Sequence, residues 1–400
     1  MSTYRQIDCF NINVKYWKFL GIYPRRDTTR LYEYYSFLFI SFFFVFYISL
    51  TTLNFWFIPG PMDLFIEETI FYTTEVAVLA KVFTFVCMKD KVVKLLDILE
   101  SDMFQPDTNH RIKIVKDAKK FNITYWKVMA AISYLSNSTH VLSPLFSHLL
   151  TGADLVLPLC SYLFLADDFR NAYIYYCYTY QSIGMHFFML VNVNVDSFIQ
   201  GLIILAIAQL DLLDDKLRKV TENNNIDKDS RNESDTNEDI DYVRKLNKCI
   251  IHFDNVAKYC GLIEEVFSLV LFVQFSIASV ILCVCLFRFT LPAPREYYIF
   301  LVTYVFVMVG QILVPCWFGT RVIYKSSQLS LAVYDSDWTP RSRRFKSNLR
   351  LLVERLNRPL TIIGGKMFPL SLVTFTSIMN SAYSFFTLLR HMQSREDEAN

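Results

Sequence analysis

The stretch NAYIYYCYTYQSIGMHFFMLVNVNVDSFIQGLIILAIAQL, residues Asn171–Leu210, decides how many times this chain crosses a membrane. It contains one charged side chain, that of Asp196. A transmembrane helix needs about 20 apolar residues, because it must cross ~30 Å of hydrocarbon with every backbone polar group bonded inside the segment. The stretch is therefore long enough for two spans, or for one span that continues into water.

Six further segments are apolar enough to span a membrane, and five of them contain no charged residue. The exception is the second, which contains Glu75 and Lys81. The chain is 53% hydrophobic and 16% aromatic, which excludes an ordinary soluble domain. The six segments are 35–58, 69–88, 128–153, 266–287, 297–320 and 367–389.

The distribution of Lys and Arg chooses between one span and two. With one span and a cytosolic N-terminus, the cytosolic segments carry 32 Lys and Arg, and the outer segments carry four. Two spans would place the last two basic loops outside, against the positive-inside rule. We therefore predict an all-α, polytopic membrane protein with seven transmembrane helices, a cytosolic N-terminus and an extracellular C-terminus. This orientation is the reverse of that of a G-protein-coupled receptor.

The same count divides the chain into segments. We predict a cytosolic N-terminal segment 1–34, spans one to six within 35–320, a cytosolic anchor segment 321–366, a seventh helix 367–390 and an extracellular tail 391–400. Residues 221–241 contain eight acids and two bases with few hydrophobic residues, so we predict a disordered cytosolic loop there.

Besides Val243–Glu265, two cytosolic segments have apolar residues at helical spacing. They favour a packed intracellular domain, and the alternative is that they lie on the membrane surface. The stripes consist of Val92, Leu95, Leu96 and Leu99 in the first segment and of Phe345, Leu349, Leu352, Val353 and Leu356 in the second.

Motifs of enzymes, metal sites and phosphate-binding loops are missing from the sequence, which predicts no catalytic residue, no metal, no cofactor and no nucleic-acid partner. The nine cysteines show no metal-binding spacing. Cys160 and Cys177 lie in or beside the second outer loop, where a disulfide is possible and two free thiols are an equal alternative.

The seventh segment has a polar stripe. At 100° per residue, five polar side chains fall within an arc of roughly 80°. Such a stripe faces water or another helix, so it indicates either a pore lining, with Leu388 beside it as a hydrophobic gate, or packing between helices. The five residues are Ser377, Asn380, Ser384, Thr387 and His391.

Candidate ligand-binding residues lie in the outer halves of the second, third, fourth and sixth spans. Together they predict an aromatic-lined cavity for a small, largely apolar molecule, although ordinary packing is the alternative for each aromatic residue. Glu75 is expected to face protein or water, and Lys81 to extend toward the inner headgroups. The candidates are Tyr72, Glu75, Asn137, His140, Ser143, Tyr180, Gly184, Phe187, Phe188 and Tyr304.

The C-terminal run Asp337–Arg390 resembles a known family. It reads DWTPRSRRFKSNLRLLVERLNRPLTIIGGKMFPLSLVTFTSIMNSAYSFFTLLR, and it is similar to the C-terminal signature of insect odorant receptors. The block KYWKFLGIYP at Lys15–Pro24 and the residues Tyr180 and Gln181 look similar to further family blocks. The closing block departs from the pattern at Ala382.

The resemblance implies more than the spacing does. It implies a tetrameric, non-selective cation channel joined through an intracellular anchor, with a pore lined by the seventh helix. By position, the gate corresponds to Leu388, with Ser384, Thr387 and His391 nearby. The implied odorant pocket lies among the second, third, fourth and sixth helices and includes Tyr304.

The family branch follows from length and motifs. The chain lacks the extended second loop of the co-receptor, so the resemblance implies a ligand-tuning subunit that assembles with the odorant receptor co-receptor. The expected partners are a small volatile odorant, membrane lipid and permeant cations, and the expected location is the plasma membrane of olfactory neuron dendrites. A chemoreceptor that signals through a G protein and a small-molecule transporter are the alternatives.

Overall fold

The structure is a computed structural model that describes residues 4–23, 29–58, 62–152, 154–222, 234–290 and 295–399. Helices form almost all of the regular structure in these ranges. The helices are α1 (Asn11–Phe19), α2 (Arg30–Ile40), α3 (Tyr47–Trp56), α4 (Met62–Cys87), α5 (Lys89–Leu99), α6 (Asn109–Thr151), α7 (Asp167–Ala172), α8 (Ile174–Arg218), α9 (Ser234–Arg288), α10 (Arg295–Tyr334), α11 (Arg343–Leu356) and α12 (Leu372–Ala399). Strands β1 (Ile363–Gly364) and β2 (Phe368–Pro369) pair antiparallel before α12.

Within the described residues, six helical stretches are long and apolar enough to cross a membrane. The first combines α2 and α3, which a π-helical segment joins into the stretch Arg30–Trp56. The remaining predicted span, 128–153, falls in α6 as far as Thr151, where this 43-residue helix with many polar side chains ends. Because α6 packs along α8, it belongs to the same bundle. The predicted all-α architecture is confirmed.

Helix α8 is the centre of the molecule. It runs unbroken for 45 residues, which confirms the prediction of one continuous helix and makes it longer than a single span requires. Its most apolar window is 89% buried, because α4, α6, α9 and α10 all pack against it. Both faces of α8 are therefore in contact with protein.

The two predicted amphipathic stripes pack against other helices. α5 contacts α9, and α11 contacts both α9 and α10. The predicted packing is confirmed, while the cytosolic position of this region remains a prediction. Leu96 and Val353 are half-buried at the edges of the stripes. The stripe residues that are buried are Val92, Leu95, Leu99, Phe345, Leu349, Leu352 and Leu356.

Two segment boundaries differ from the prediction. Residues 234–241 of the predicted disordered loop 221–241 form the first turns of α9, and Asp241 pairs with Lys245 one turn later at 3.1 Å. Residues 223–233 lie outside the described residues. The predicted tail 391–400 is not a separate segment either, since α12 continues to Ala399.

A tight turn lies between α11 and α12. Gly365 has φ +60°, and its backbone N–H donates to the carbonyl of Ser268 at 3.0 Å. A Cβ at Gly365 would come within 2.5 Å of the Phe272 ring, so both the left-handed φ and the close contact require glycine. The β1–β2 turn is thereby fixed against α9.

The possible disulfide between Cys160 and Cys177 is not formed. Both cysteines are free thiols, Cys160 buried and Cys177 half-buried. The backbone carbonyl of Cys160 instead accepts a hydrogen bond from Gln181 Nε2 at 2.8 Å. The outer loop is thus held to α8 by an amide side chain.

Candidate functional site

A cavity of about 160 Å³ lies between α4, α6, α8 and α10. An apolar cavity of roughly 150 Å³ is large enough to bind benzene, so this one can hold a small organic molecule. The residues that line it are Phe71, Thr74, Glu75, Val78, Ser133, Ser136, Asn137, His140, Leu159, Met185, Phe188, Met189, Asn192, Tyr304, Val307, Met308 and Gln311.

Helix α4 supplies one wall. Phe71, Thr74, Glu75 and Val78 follow the i, i+3, i+4, i+7 spacing that places side chains on one helix face. Thr74 Oγ1 lies 2.7 Å from the hydroxyl of Tyr304 on α10, and either oxygen can donate. This hydrogen bond joins α4 to α10 across one edge of the cavity.

Glu75 is the one Asp, Glu, Lys or Arg side chain in the described lining, and it is buried. Its Oε2 accepts a hydrogen bond from Thr51 Oγ1 of α3 at 3.1 Å. The expectation that Glu75 faces protein is confirmed. The α4 wall of the cavity therefore contains one carboxyl group, and a hydrogen bond from α3 fixes its position.

Tyr72 does not line this cavity, contrary to the prediction. It is one residue beyond Phe71, about 100° around the helix, and so faces α3. Its hydroxyl accepts from Thr52 Oγ1 at 3.2 Å, and its ring stacks on Phe55 at 5.2 Å. Tyr72 borders only a neighbouring void of about 10 Å³, which it shares with Glu75.

Helix α6 supplies the most polar wall. Ser133, Ser136, Asn137 and His140 line the cavity, which agrees with the predicted position of the last two. The ring of His140 lies 4.8 Å from that of Phe71. Ser143, one turn further along, does not line it.

The outer loop between α6 and α7 covers the cavity. Leu159 of this loop reaches the lining and is buried. Two hydrogen bonds fix the loop: His140 Nε2 donates to the carbonyl of Pro158 at 2.8 Å, and the backbone N–H of Leu159 donates to Gln181 Oε1 at 3.1 Å. The loop therefore forms a roof that is held from both α6 and α8.

The cavity-facing side of α8 differs from the predicted one. Met185, Phe188, Met189 and Asn192 line the cavity, again at i, i+3, i+4, i+7. Of the α8 residues we predicted, Phe188 is in the lining and three are not. The three are Tyr180, Gly184 and Phe187.

These three residues pack against the first transmembrane stretch. The Tyr180 hydroxyl donates to the Phe42 carbonyl at 2.9 Å, and the Phe187 ring lies 4.7 Å from that of Phe43. Gly184 gives room to the ring of Tyr47. Their roles are in helix packing, so the prediction that they contact ligand is wrong for this cavity.

An ion pair between the buried Lys81 and the half-buried Asp196 lies next to the cavity. Lys81 Nζ is 2.5 Å from both Asn192 Oδ1 and Asp196 Oδ1, and Lys81 is buried. The prediction that Lys81 extends to the inner headgroups is wrong, because α8 provides a partner inside the bundle. In the described part of the chain, no group of three His, Cys, Asp or Glu side chains is placed to hold a metal ion.

The predicted gate residues lie on α12, which is the least covered of the six candidate membrane spans among the described residues. Only 6% of the apolar window of α12 is buried in the single chain. Leu388 is 56% exposed, Ser384 and His391 are exposed, and Thr387 is half-buried. These residues are far from the cavity lining in sequence and belong to a separate surface.

Several lining residues were not predicted. Met185 and Met189 are apolar residues in an apolar stretch and gave no signal, whereas Asn192 is polar and could have been found by the same reasoning as Asn137. Val307, Met308 and Gln311 could have been found from Tyr304, because they continue its stripe at i+3, i+4 and i+7.

Comparison with known proteins agrees with this architecture. A family model described as 7tm Odorant receptor matches residues 61–383. Odorant receptor 67a of Drosophila melanogaster is 24% identical over 410 aligned residues, which cover 98% of this chain and 97% of that relative. Odorant receptor 10 of Aedes albopictus is 28% identical over 145 residues, 36% of this chain and 39% of that relative. The matches to several relatives, this one included, span less than two fifths of their length.

A solved structure shares the fold. The insect olfactory receptor OR5 from Machilis hrabei, in complex with eugenol, superposes with a TM-score of 0.83. The match covers 96% of this chain and 98% of that chain, at 14% identity. The likeness extends over nearly the whole helical bundle.

Proposed function

This chain belongs to the 7tm odorant receptor family, and we propose that it is a ligand-tuning subunit of an odour-gated, non-selective cation channel. In this proposal the chain assembles as a tetramer with the odorant receptor co-receptor in the plasma membrane of olfactory neuron dendrites. Members of the family are chemoreceptors, not enzymes, and this multi-pass membrane chain needs no cofactor for such a role.

The observation that carries the proposal is the roofed cavity between α4, α6, α8 and α10. Its lining is mostly apolar, with hydroxyl and amide groups on the α6 wall and one carboxyl group from Glu75. Such a site favours a small organic molecule that is largely apolar and has one or two polar atoms. The solved relative that shares the fold has eugenol, a molecule of this kind, in its complex.

The surface of α12 supports the channel part of the proposal. The amide of Asn380 is exposed and, within the described residues, makes no hydrogen bond, and His391 is exposed further along. A bare amide is costly in hydrocarbon, so this face favours water or another subunit over lipid. Four copies around an axis would place Leu388 where a hydrophobic ring can close a pore.

The experiment is whole-cell recording from cells that express this chain with the co-receptor. A panel of small aromatic and aliphatic odorants is expected to evoke a cation current. Ser136→Phe fills the cavity and should raise the half-maximal concentration at least ~10-fold, which corresponds to about 1.4 kcal/mol of binding. Ser138→Phe, on the same helix but outside the lining, is the matched control.

Two results would overturn the proposal. One is the absence of odorant-evoked current when both chains reach the cell surface. The other is equal sensitivity of the Ser136→Phe and Ser138→Phe channels. Staining of an N-terminal epitope without permeabilisation would contradict the predicted orientation and favour a G-protein-coupled receptor.

A further inference from the structure

A second, smaller cavity of about 30 Å³ adjoins the first. Four residues, Ser133, Asn192, Val307 and Gln311, line both cavities. The rest of its lining lies further toward the end of α8 that we predict to be cytosolic. We call this second cavity the polar chamber.

Two amide oxygens in the polar chamber have no hydrogen-bond partner. They are Gln200 Oε1 on α8 and Gln274 Oε1 on α9, and within the described residues neither accepts a hydrogen bond. The two residues are 4% and 6% exposed. A buried acceptor without a donor costs roughly 1–3 kcal/mol, and native proteins rarely leave two of them beside one cavity.

The orientation of the Gln274 amide follows from a proline. Pro315 in α10 has no N–H, so the carbonyl of Gln311, four residues earlier, loses its intrahelical donor. Gln274 Nε2 donates to this carbonyl at 3.3 Å. The nitrogen of the Gln274 amide is therefore engaged with α10, and its oxygen is the atom left to accept.

The charges beside the polar chamber are already balanced. Asp196, which also lines it, is paired with Lys81, and the same ammonium group donates to Asn192. A further cation would have to compete with this buried ammonium group. The unmet requirement is for a neutral hydrogen-bond donor.

We propose that the polar chamber is a binding site for a small neutral hydrogen-bond donor, which Gln200 Oε1 and Gln274 Oε1 accept. Two sources offer this chemistry: water, and the hydroxyl group of a molecule bound in the cavity above. A water molecule needs about 10–15 Å³ of such space, so the chamber holds at least one. The hydroxyl source rests on the proposed odorant-binding function, whereas the water source does not.

The first test measures the stability of the full-length chain in detergent without added ligand. Gln200→Met removes one acceptor with little change in volume. If water fills the chamber, the variant loses a hydrogen bond, and its apparent melting temperature should fall by about 1–3 °C. Gln200→Asn keeps an amide oxygen and should show a smaller decrease.

The second test uses odorant-evoked current with the co-receptor. The probes are straight-chain primary alcohols of four to ten carbons, each paired with its methyl ether. If the ligand hydroxyl enters the chamber, the wild type should prefer each active alcohol over its ether by about 5-fold or more. Gln200→Met should bring that ratio close to one.

The outcomes separate the two sources. A lower melting temperature with an unchanged alcohol-to-ether ratio assigns the donor to water, and a collapsed ratio assigns it to the ligand hydroxyl. An unchanged or higher melting temperature together with an unchanged ratio overturns the proposal. If the chain gives no current at all, the proposed function fails, and the melting temperature alone decides whether the chamber holds a donor.

Discussion

Lys81 Nζ lies 2.5 Å from Asp196 Oδ1, and this ion pair joins α4 to α8 directly beside the cavity. The two residues are 115 positions apart in the chain. Lys81 also donates to Asn192, which lines the cavity. The pair therefore connects the cavity wall to the part of α8 that follows it toward the C-terminal end of this helix.

We predict that Lys81→Met is strongly destabilising. It leaves the half-buried Asp196 carboxylate without its partner. Breaking a fully buried pair from one side costs about 3–5 kcal/mol, and the partial exposure of Asp196 reduces this cost. The double variant Lys81→Met/Asp196→Leu removes both charges and should recover most of the loss. The measurement is the fraction of chain that elutes as a monodisperse species in detergent. A double variant as poorly recovered as the single one would contradict this.

The sequence predicted the number of long helices better than it predicted which side of each helix faces the cavity. One charged residue in Asn171–Leu210, together with the Lys and Arg count, was enough to predict α8 as one helix. Burial alone could not show which side of α8 meets the cavity, because 89% of its most apolar window is buried. Tyr180 and Phe187 are aromatic residues at the correct depth, and only the packing of the π-helical segment between α2 and α3 shows that they face elsewhere.

Polar residues of the cavity lining that lie in apolar segments were easier to predict from the sequence. Asn137, His140 and Glu75 are polar residues in an apolar segment, which marks them for a protein-facing position. The position of Lys81 could not be predicted in the same way. Its partner lies on another helix, and pairing across 115 residues leaves no trace in a local pattern.

We predict that Tyr304 and Thr74 act as one unit in ligand recognition. Their hydroxyls are 2.7 Å apart across the edge of the cavity. Loss of one neutral hydrogen bond is worth about 1 kcal/mol, so Tyr304→Phe and Thr74→Val should each reduce odorant sensitivity about 5-fold. Dose–response curves of the double variant should show little further loss, since the same bond is removed. Fully additive losses would show that the hydroxyls act independently.

We predict a structural and not a ligand-contacting role for Gly184. A Cβ at this position would lie 2.0 Å from Cε2 of Tyr47, so Gly184→Ala forces two helices apart. We expect a loss of about 1–3 kcal/mol and lower surface expression, with unchanged half-maximal concentrations for the channels that reach the membrane. Gly310→Ala is the matched control, because nothing lies within 4 Å of its Cβ position. A changed odorant preference in Gly184→Ala would return this residue to the ligand site.

We predict that His252 makes the folded chain less stable in acid. This residue lies in the first part of α9, away from the predicted membrane span. Burial, and after it the charges of Lys216 and Arg111, lower the pKa of His252 to about 3. Its Nε2 donates to Gln209 Oε1 at 3.0 Å, and its Nδ1 lies 3.3 Å from Lys216 Nζ, which donates to it. The imidazole is therefore neutral in the folded chain.

The sign of the effect follows from the direction of this pKa shift. The unfolded chain, with a histidine pKa of about 6.5, takes up the proton first as the pH falls. The contribution of His252 to the free energy of unfolding is thus complete above about pH 6.5. It is lost progressively toward pH 3, and the loss is about 2 kcal/mol at pH 5. Melting temperatures at pH 7.5 and pH 5 should differ less for His252→Gln than for wild type. His110→Gln, at an exposed position, should keep the wild-type dependence, and an unaltered dependence in His252→Gln would contradict the assignment.

We predict that Leu388→Ser increases the resting current of the channel formed with the co-receptor. If the proposed hydrophobic ring closes the pore by excluding water, a hydroxyl in place of the isobutyl group lets water and cations pass without odorant. Leu389→Ser is the matched control, because residue 389 lies about 100° around α12 and is 38% exposed, against 56% for Leu388. We expect several-fold higher odorant-independent current for the first variant and wild-type resting current for the second. Equal resting currents in the two variants, at equal surface expression, would show that α12 does not place Leu388 at the gate.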